Sequence, residues 1–420
     1  MAISSGRSRK PTANGHPSAT EPASRYTPAD YQAFQHTGPG TLAGRYLRRF
    51  WQPVYSGWQL KPGHAVPLRV MSEDFTLYRA EDGCPHVVAF RCAHRGTQLS
   101  TGWVEGDCIR CFYHGWKYDA TGQCVEMPAE DPSFPPKVKI PSYPTAEYLG
   151  TIFAYFGEGE PPPMWRFPVM EQPGIIQAFI RRRECNYFQN VENSVDEVHI
   201  PFVHRSQAWD PAIHAQSIPE IEAEETEYGL AQYGIRPGQD VRVSPFIMPN
   251  VLHIKGGWDP DEPDDWLFWR VPIDDESHMN CAIRRVPVTG EAAQQFQAQM
   301  AQRRARMEGQ ESPEQIAQRV LRGELRVQDL TDRPDIVIIQ DEVAQVGQGR
   351  IQDHSQERLG RSDRAVILLR KLWARELEKL ATGQPLTQWH VPDDLGATLG
   401  LDRMALKNVS NWHRPERDAK

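Results

Sequence analysis

The sequence predicts an α+β protein in two parts, a small all-β domain followed by a larger domain in which helices cover an antiparallel sheet. Three observations predict it. Over residues 52–157, short runs rich in Val, Ile, Phe and Tyr alternate with turn signals. Three consecutive prolines, Pro161, Pro162 and Pro163, then interrupt the pattern with a stiff segment. Beyond them, strand-like runs are interleaved with amphipathic helical patterns.

In chain order, residues 1–26 are polar, with basic Arg7, Arg9 and Lys10. They lack the apolar core of a secretory signal and contain Glu21, so they are expected to form a disordered tail. An amphipathic stretch at 44–51 predicts a short helix. Val87-Val88-Ala89-Phe90 and Thr151-Ile152-Phe153-Ala154-Tyr155 read as strands, separated by turn signals such as Asp82-Gly83 and Thr121-Gly122. The proline segment divides the chain into residues 27–160 and 161–420. In the second part, 251–254 and 267–271 read as strands and 292–307 as a weakly periodic helix. Ser312-Pro313 starts another helix, with Ser at the cap and Pro at the first position. Ser362 is expected to cap a longer one that buries Val366, Leu369, Leu372, Trp373, Leu377 and Leu380 and stops at Gly383.

A chain of 420 residues with 39% hydrophobic and 24% charged residues suits two ordinary globular domains. Its net charge of −8 argues against sequence-independent nucleic-acid binding. No run approaches the length of a membrane span. The seven cysteines are Cys84, Cys92, Cys108, Cys111, Cys124, Cys185 and Cys281. An odd number in a long chain points to metal ligation in a reducing cytoplasm rather than to a disulfide framework.

The decisive segment spans residues 91–116. Cys92-x-His94 is followed, after sixteen residues, by Cys111-x-x-His114. A zinc finger pairs Cys with Cys and His with His, whereas here each pair is mixed. Mixed pairs suit a [2Fe–2S] cluster in which one iron takes both thiolates and the other both imidazoles. Gly96, Gly102, Gly106 and Gly115 permit tight loops around it. Cys108, Cys124 and Cys185 have no partner at matching spacing and read as buried structural thiols.

A second constellation lies at 186–204, with Asn193, Asp196, His199, Pro201 and His204. Two imidazoles with one carboxylate form the facial triad of non-haem Fe(II) oxygenases, which leaves positions open for O₂ and substrate. On one continuous helix His199 and His204 would stand about 140° apart. The helix is therefore expected to break between them, at Pro201. The third ligand should be a carboxylate far downstream, among Asp332, Asp335, Asp341, Glu342 and Asp353. Asp341 is best placed, after the apolar run 336–339, with Glu342 next.

Cys92-Ala-His94-Arg-Gly96 and Cys111-Phe-Tyr-His114-Gly-Trp116 resemble the two cluster loops of Rieske proteins. The 193–204 segment resembles the Asn-x-x-Asp-x-x-His-x₄-His pattern of Rieske non-haem iron oxygenases. Gly40-Thr-Leu-Ala-Gly-Arg-Tyr-Leu-Arg-Arg-Phe-Trp-Gln-Pro-Val, Val271-Pro-Ile-Asp274-Asp275 and the stretches at 340–341 and 357–363 look like the phthalate-dioxygenase-like branch. The resemblance implies a Rieske [2Fe–2S] domain followed by a helix-grip-like catalytic domain, the two parts of a terminal oxygenase component. It implies that Cys92, His94, Cys111 and His114 hold the cluster and that His199, His204 and Asp341 hold Fe(II). Met127-Pro128 takes the place of the loop that covers the cluster. Asp196 takes the role of an electron-transfer bridge, hydrogen-bonding a ligand histidine and reaching the cluster of a neighbouring subunit. A homotrimer or a stacked hexamer is implied as well.

The implied reaction uses O₂ and electrons from a separate NAD(P)H-dependent reductase, with or without a ferredoxin, to hydroxylate or oxidatively dealkylate an aromatic acid or aryl ether. Gly347-Gln-Gly349 lacks the third glycine and the βαβ context of a dinucleotide site, so the reductase is expected on another polypeptide. Phe246, Ile247 and Trp269 are candidate pocket residues, and Arg205 or Arg236 a candidate partner for a carboxylate. The alternative, a Rieske electron-transfer protein without oxygenase activity, needs only the first domain.

Overall fold

The computed structural model describes residues 32–205, 218–237, 241–256, 263–330 and 333–392. The tail expected at 1–26 lies outside them. Helix α1 (Leu42–Leu47) is capped by the Thr41 side chain, which accepts from Gly44 N. Strands β1 (Gln52–Ser56), β2 (Ala65–Val70), β3 (Glu73–Arg79), β4 (Pro85–Ala89), β5 (Trp103–Glu105), β6 (Cys108–Arg110), β7 (Lys117–Tyr118), β8 (Cys124–Glu126), β9 (Ser142–Tyr143), β10 (Thr145–Tyr148) and β11 (Thr151–Ala154) follow. They form three antiparallel sheets in the orders β1-β11-β10, β2-β3-β4-β9 and β5-β6-β7-β8. The first part of the chain is thus all-β beyond α1, as its pattern of short runs and turns predicts.

The second part begins with helix α2 (Pro168–Glu171), strand β12 (Ile175–Arg183) and helices α3 (Tyr187–Asn193) and α4 (Ile200–Val203). Strands β13 (Glu220–Thr226), β14 (Gly229–Ile235), β15 (Arg242–Ile247), β16 (Val251–Lys255), β17 (Asp265–Asp274) and β18 (Ser277–Val286) come next. They build one antiparallel sheet in the order β12-β18-β17-β16-β15-β14-β13. Helices α5 (Gly290–Met307), α6 (Pro313–Leu321), α7 (Ile336–Val346) and α8 (Arg364–Ala381) complete the chain as described. The Ser312 cap and Pro313 start are present as expected, with a reciprocal bond between Ser312 and Gln315.

The two faces of this sheet have different jobs. Side chains alternate along a strand. Register places Trp266, Phe268 and Arg270 of β17 beside Arg284, Ala282 and Asn280 of β18, and Leu267, Trp269 and Val271 beside Ile283, Cys281 and Met279. The Trp269 face packs on the first part of the chain, its ring 5.5 Å from Phe153, and on the segment that follows the prolines, 5.8 Å from Phe167. The Arg270 face receives the segment that carries the histidines, through Ser194. Trp269 therefore is not a pocket residue. Neither is Ile247, which follows the register of Val251 and Trp269, whereas Phe246 follows Leu252 and Phe268 onto the Arg270 face.

Helix α8 buries its predicted stripe, Val366, Leu369, Leu372, Trp373, Leu377 and Leu380. Its start differs from expectation. Ser362 lies in a short 3₁₀ turn, Arg361–Asp363, and Asp363 occupies the cap position, because that turn supplies the first hydrogen-bonded residues itself. Trp373, fully buried, touches the rings of Tyr46 at 5.2 Å and Phe188 at 5.4 Å. It thereby clamps α3 to α1, and truncating such a ring costs about 3–5 kcal/mol.

Candidate metal centres

The cluster loops precede β5 and join β6 to β7. Each is closed by matched backbone bonds. Cys92 N donates to Thr97 O and Cys111 N to Trp116 O, both at 2.8 Å, while Gly96 N and Gly115 N return to Cys92 O and Cys111 O at 3.0 and 3.1 Å. Gly96 and Gly115 have φ of +75° and +73°, which a side chain would strain. The Pro128 ring lies where a Cβ on Gly115 would meet it, at 3.2 Å, so the Met127-Pro128 segment does cover this loop.

The four residues Cys92, His94, Cys111 and His114 come together. Both cysteines are buried, and the imidazole rings of His94 and His114 stand 4.5 Å apart. His94 stacks on Trp116 and keeps a buried Nδ1 without a hydrogen-bond partner. Burial pushes the Cys92 thiol above its ordinary range, against a hydrogen bond from Tyr118, whose hydroxyl is 3.3 Å from Cys92 Sγ. Two buried thiols facing two imidazoles fit a cluster that neutralises them. Cys108, Cys124, Cys185 and Cys281 are buried apart from this group, and all seven cysteines are free.

The second centre joins three distant pieces. His199, His204 and Asp341 each present a ligand atom, and these atoms all lie within 4.8 Å of one another. The histidine geometry differs from expectation. The helix does not break at Pro201; it begins there. Helix α3 ends at Asn193, a turn follows, and α4 is a single turn with Pro201 near its start, flanked by His199 and His204. Proline is well tolerated at a helix start because its missing N–H has no partner there in any case. Asp196 and His199 accordingly meet through the turn rather than on a shared helix face.

Each histidine is held by its other nitrogen. His199 Nδ1 donates to the Asp196 carbonyl, and the Asp196 carboxylate accepts from Val198 N at 2.9 Å and His199 N at 3.2 Å. His204 Nδ1 donates to Gln340 Oε1 at 2.9 Å. Both Nε2 atoms are thus left as lone pairs facing the centre. His204 Nε2 stands 3.3 Å from Asp341 Oδ1, which is buried and has no hydrogen-bond partner. Two lone pairs facing each other need a proton or a cation between them. Burial pulls the His204 imidazolium down and pushes the Asp341 carboxyl up. Their mutual attraction outweighs both, raising His204 and holding Asp341 at about 2. A divalent metal held by His199, His204 and Asp341 would take the place of that shared proton.

The remaining carboxylates are engaged elsewhere. Glu342 accepts from Arg183 Nε at 2.7 Å, both side chains being buried. Asp335 pairs with Arg333 at 2.8 Å, Asp353 caps Ser355 at 3.0 Å, and Asp332 lies outside the described residues. A second group, Glu192, His354 and Glu357, also has ligand-like spacing. The Arg370 guanidinium already bridges its two carboxylates at 2.5 and 2.6 Å, so this is an ion-pair network linking α3 to α8. Arg236 pairs with buried Glu197 at 3.0 Å. Two groups carry no signal in the sequence: Arg183, whose neighbours in Arg181-Arg182-Arg183 are more exposed, and Gln345, which donates to Asn193 Oδ1 at 2.8 Å beside His199.

Comparison with known proteins agrees with this geometry. Residues 50–144 match the Rieske [2Fe-2S] domain family. Over 369 residues, 83% of this chain and 79% of the relative, the sequence is 31% identical to the 5,5'-dehydrodivanillate O-demethylase oxygenase subunit of Sphingobium sp. (strain NBRC 103272 / SYK-6). The chain belongs to the Rieske non-haem iron oxygenases. As a Rieske oxygenase it uses a [2Fe–2S] cluster and a catalytic Fe(II), and its α+β fold is the one expected. It is also 28% identical, over 82% of its length, to the phenoxybenzoate dioxygenase subunit alpha of Ectopseudomonas oleovorans, 84% of which is covered. Its fold is similar to the oxygenase chain of the reduced oxygenase–ferredoxin complex of carbazole 1,9a-dioxygenase. The TM-score is 0.59 at 19% identity, covering 86% of this chain and 99% of that one. Among the described residues no helix is long and apolar enough to cross a membrane.

Proposed function

We propose that this Rieske oxygenase takes an aromatic acid or aryl ether and hydroxylates or O-dealkylates it, with His199, His204 and Asp341 as the iron ligands and Cys92, His94, Cys111 and His114 as the cluster ligands. The observation that carries the iron assignment is the meeting of two oriented Nε2 lone pairs with the buried, unbonded Asp341 oxygen. The relatives' names, an O-demethylase and a phenoxybenzoate dioxygenase, support the substrate class. When bound, the cluster delivers electrons and the iron activates O₂ toward the substrate.

The chain's own groups prepare that chemistry. The Asp196 carbonyl and Gln340 accept from Nδ1 of His199 and His204 and so turn both Nε2 atoms toward the centre. Arg183 ties α7 to β12 through Glu342 and Gln345 and thus sets the position of Asp341. Across the sheet Phe246, Leu252 and Phe268 give the Arg270 face an apolar, aromatic character suited to a ring.

Electrons come from a separate redox partner, by analogy with the ferredoxin seen with the carbazole oxygenase; its own donor is an NAD(P)H-dependent reductase. His114 is exposed at the edge of the cluster loops, and the Asp196 side chain is 36% exposed beside His199. This supports Asp196 as a bridge to the cluster of another subunit in a homotrimer or stacked hexamer. A domain boundary at Pro161 and a cytoplasmic location complete the reading. The test is O₂ uptake by cluster- and iron-loaded protein with a surrogate reductase, across benzoates, phthalates, methoxybenzoates and phenoxybenzoates. Uptake triggered by at least one of them, with a hydroxylated or dealkylated product, is expected. Spectroscopic turnover of the cluster without O₂ consumption by any of them would leave only an electron carrier.

A further inference from the structure

Among the described residues seven arginines are less than a tenth exposed: Arg79, Arg183, Arg236, Arg270, Arg284, Arg285 and Arg370. Buried charges are normally paired, because an uncompensated cation in a low-dielectric interior is costly. Six obey this, with Glu147, Glu342, Glu197, Asp264, Asp265 and the Glu192–Glu357 couple respectively. Arg270 is the exception. Its Nε donates to Ser194 Oγ at 3.3 Å and its Nη1 to Asn280 Oδ1, both neutral groups. Its guanidinium carbon lies 5.0 Å from the centre of the Phe268 ring. Among the described residues Nε and Nη1 are the guanidinium nitrogens that donate to a side chain.

The position of this unpaired cation is as informative as its isolation. Arg270 stands on the sheet face toward the histidine-bearing segment, held by Ser194, two residues before Asp196. The carboxylate whose charge reaches it is Asp341. Burial, and then repulsion from Arg183, pull its proton affinity down to about 9, so the chain itself does little to stabilise the charge. Arg183 is cancelled by Glu342, and Asp341 is committed to the iron centre. One positive charge therefore remains on the face toward the centre, with one N–H arm unengaged among the described residues and an aromatic ring against it.

We propose that Arg270 is the substrate-recognition residue of this site, its Nη2 arm binding the carboxylate of an aromatic acid whose ring meets the edge of Phe268, the two faces of which are covered by Trp266 and by Arg270 itself. This rests on the aromatic-oxygenase reading above and narrows it: the substrate is an anion rather than a neutral ether. A single charge-assisted hydrogen bond in a desolvated setting supports a preference of about tenfold to a hundredfold for acid over neutral ester.

The test uses full-length protein loaded with cluster and iron, and isothermal titration with benzoate, 3-methoxybenzoate, 3-phenoxybenzoate and phthalate, each against its methyl ester. Wild type is expected to bind at least one acid at least tenfold more tightly than its ester. Arg270→Met should reduce that preference to within threefold. Arg270→Gln, which keeps hydrogen-bond donors but no charge, should lose it as well, and it carries the test if Arg270→Met does not fold. Arg270→Lys should retain part of it. The thermal midpoint of Arg270→Gln should stay near wild type, since no ion pair is broken. Acid preference that survives in Arg270→Met or Arg270→Gln, or a wild type that favours no acid, overturns the proposal. If an Arg270-dependent preference is found but none of the panel triggers O₂ uptake, the recognition residue stands and the oxygenase substrate reading falls. If esters trigger uptake as readily as acids, the reverse holds.

Discussion

Removing the Glu342 carboxylate leaves Arg183, whose side chain is only 5% exposed, with Gln345 Oε1 as its remaining acceptor. Breaking a buried pair from one side costs about 3–5 kcal/mol, because the surviving charge stays desolvated. At about 2–4 °C per kcal/mol for a domain of this size, Glu342→Ala should lower the thermal midpoint by roughly 6–20 °C. It should nevertheless keep its mononuclear iron, since Glu342 faces Arg183 and not the histidines. Asp341→Ala should behave in the opposite way. Asp341 meets the chain through His204 at 3.3 Å, and an imidazole left without that carboxylate can stay neutral, so the midpoint of the metal-free protein should fall less than in Glu342→Ala. The two irons of the cluster remain and the third is lost. Iron and inorganic sulfide analysis, the visible spectrum and differential scanning calorimetry on both variants make the comparison. Loss of the third iron in Glu342→Ala at an unchanged midpoint, with Asp341→Ala still loaded, would show that the wrong neighbour has been placed at the metal.

Three further outcomes are expected. Gln340→Leu removes the acceptor that fixes His204, so iron affinity in a chelator competition should fall about 10–100-fold while the Rieske spectrum is unchanged; unchanged affinity would mean that packing alone orients the ring. Asp196→Asn should leave the cluster reducible and the iron largely loaded, yet stop product formation, read as slow cluster reoxidation in single-turnover stopped flow with substrate and O₂. Wild-type reoxidation in an assembled Asp196→Asn protein refutes the bridge. Tyr118→Phe deletes the hydroxyl next to Cys92 Sγ. A hydrogen bond worth about 1 kcal/mol corresponds to about 40 mV for one electron, so the cluster potential should drop by about that much in a potentiometric titration. No drop would mean that the hydroxyl bonds elsewhere in the loaded cluster.

How far the sequence could be read depends on how local each feature is. The cluster loops close on themselves within residues 91–116, through bonds from Cys92 to Thr97 and Cys111 to Trp116, so their spacing alone carries the chemistry. Helix α8 is similarly legible, because a stripe of apolar residues states which side is buried whatever lies against it. The sheet was legible as strands but not as faces. Phe246 and Ile247 are equally apolar and fully buried, and only the pairing of β15 with β16 shows that one looks toward the iron segment and the other away.

The proposed iron site fails to be local in a more instructive way. Treating 186–204 as one helix placed the break at Pro201, but a proline that ends a long helix and one that begins a short helix leave the same letters in the sequence. The difference is decided by the turn at 194–199, where Asp196 accepts from two following backbone N–H groups and offers its own carbonyl to His199. That turn is what brings two histidines five residues apart to bracket a single helical turn and converge on Asp341. The groups that then make the site specific come from still farther away: Gln340 lies 136 residues from His204, and Glu342 lies 159 from Arg183. A carboxylate in α7 is a ligand or a structural counter-ion according to which cation the fold sets opposite it. Asp341 and Glu342 share a helix and a charge. Arg183 holds Glu342 as its counter-ion, which leaves Asp341 as the carboxylate of this helix proposed for the metal.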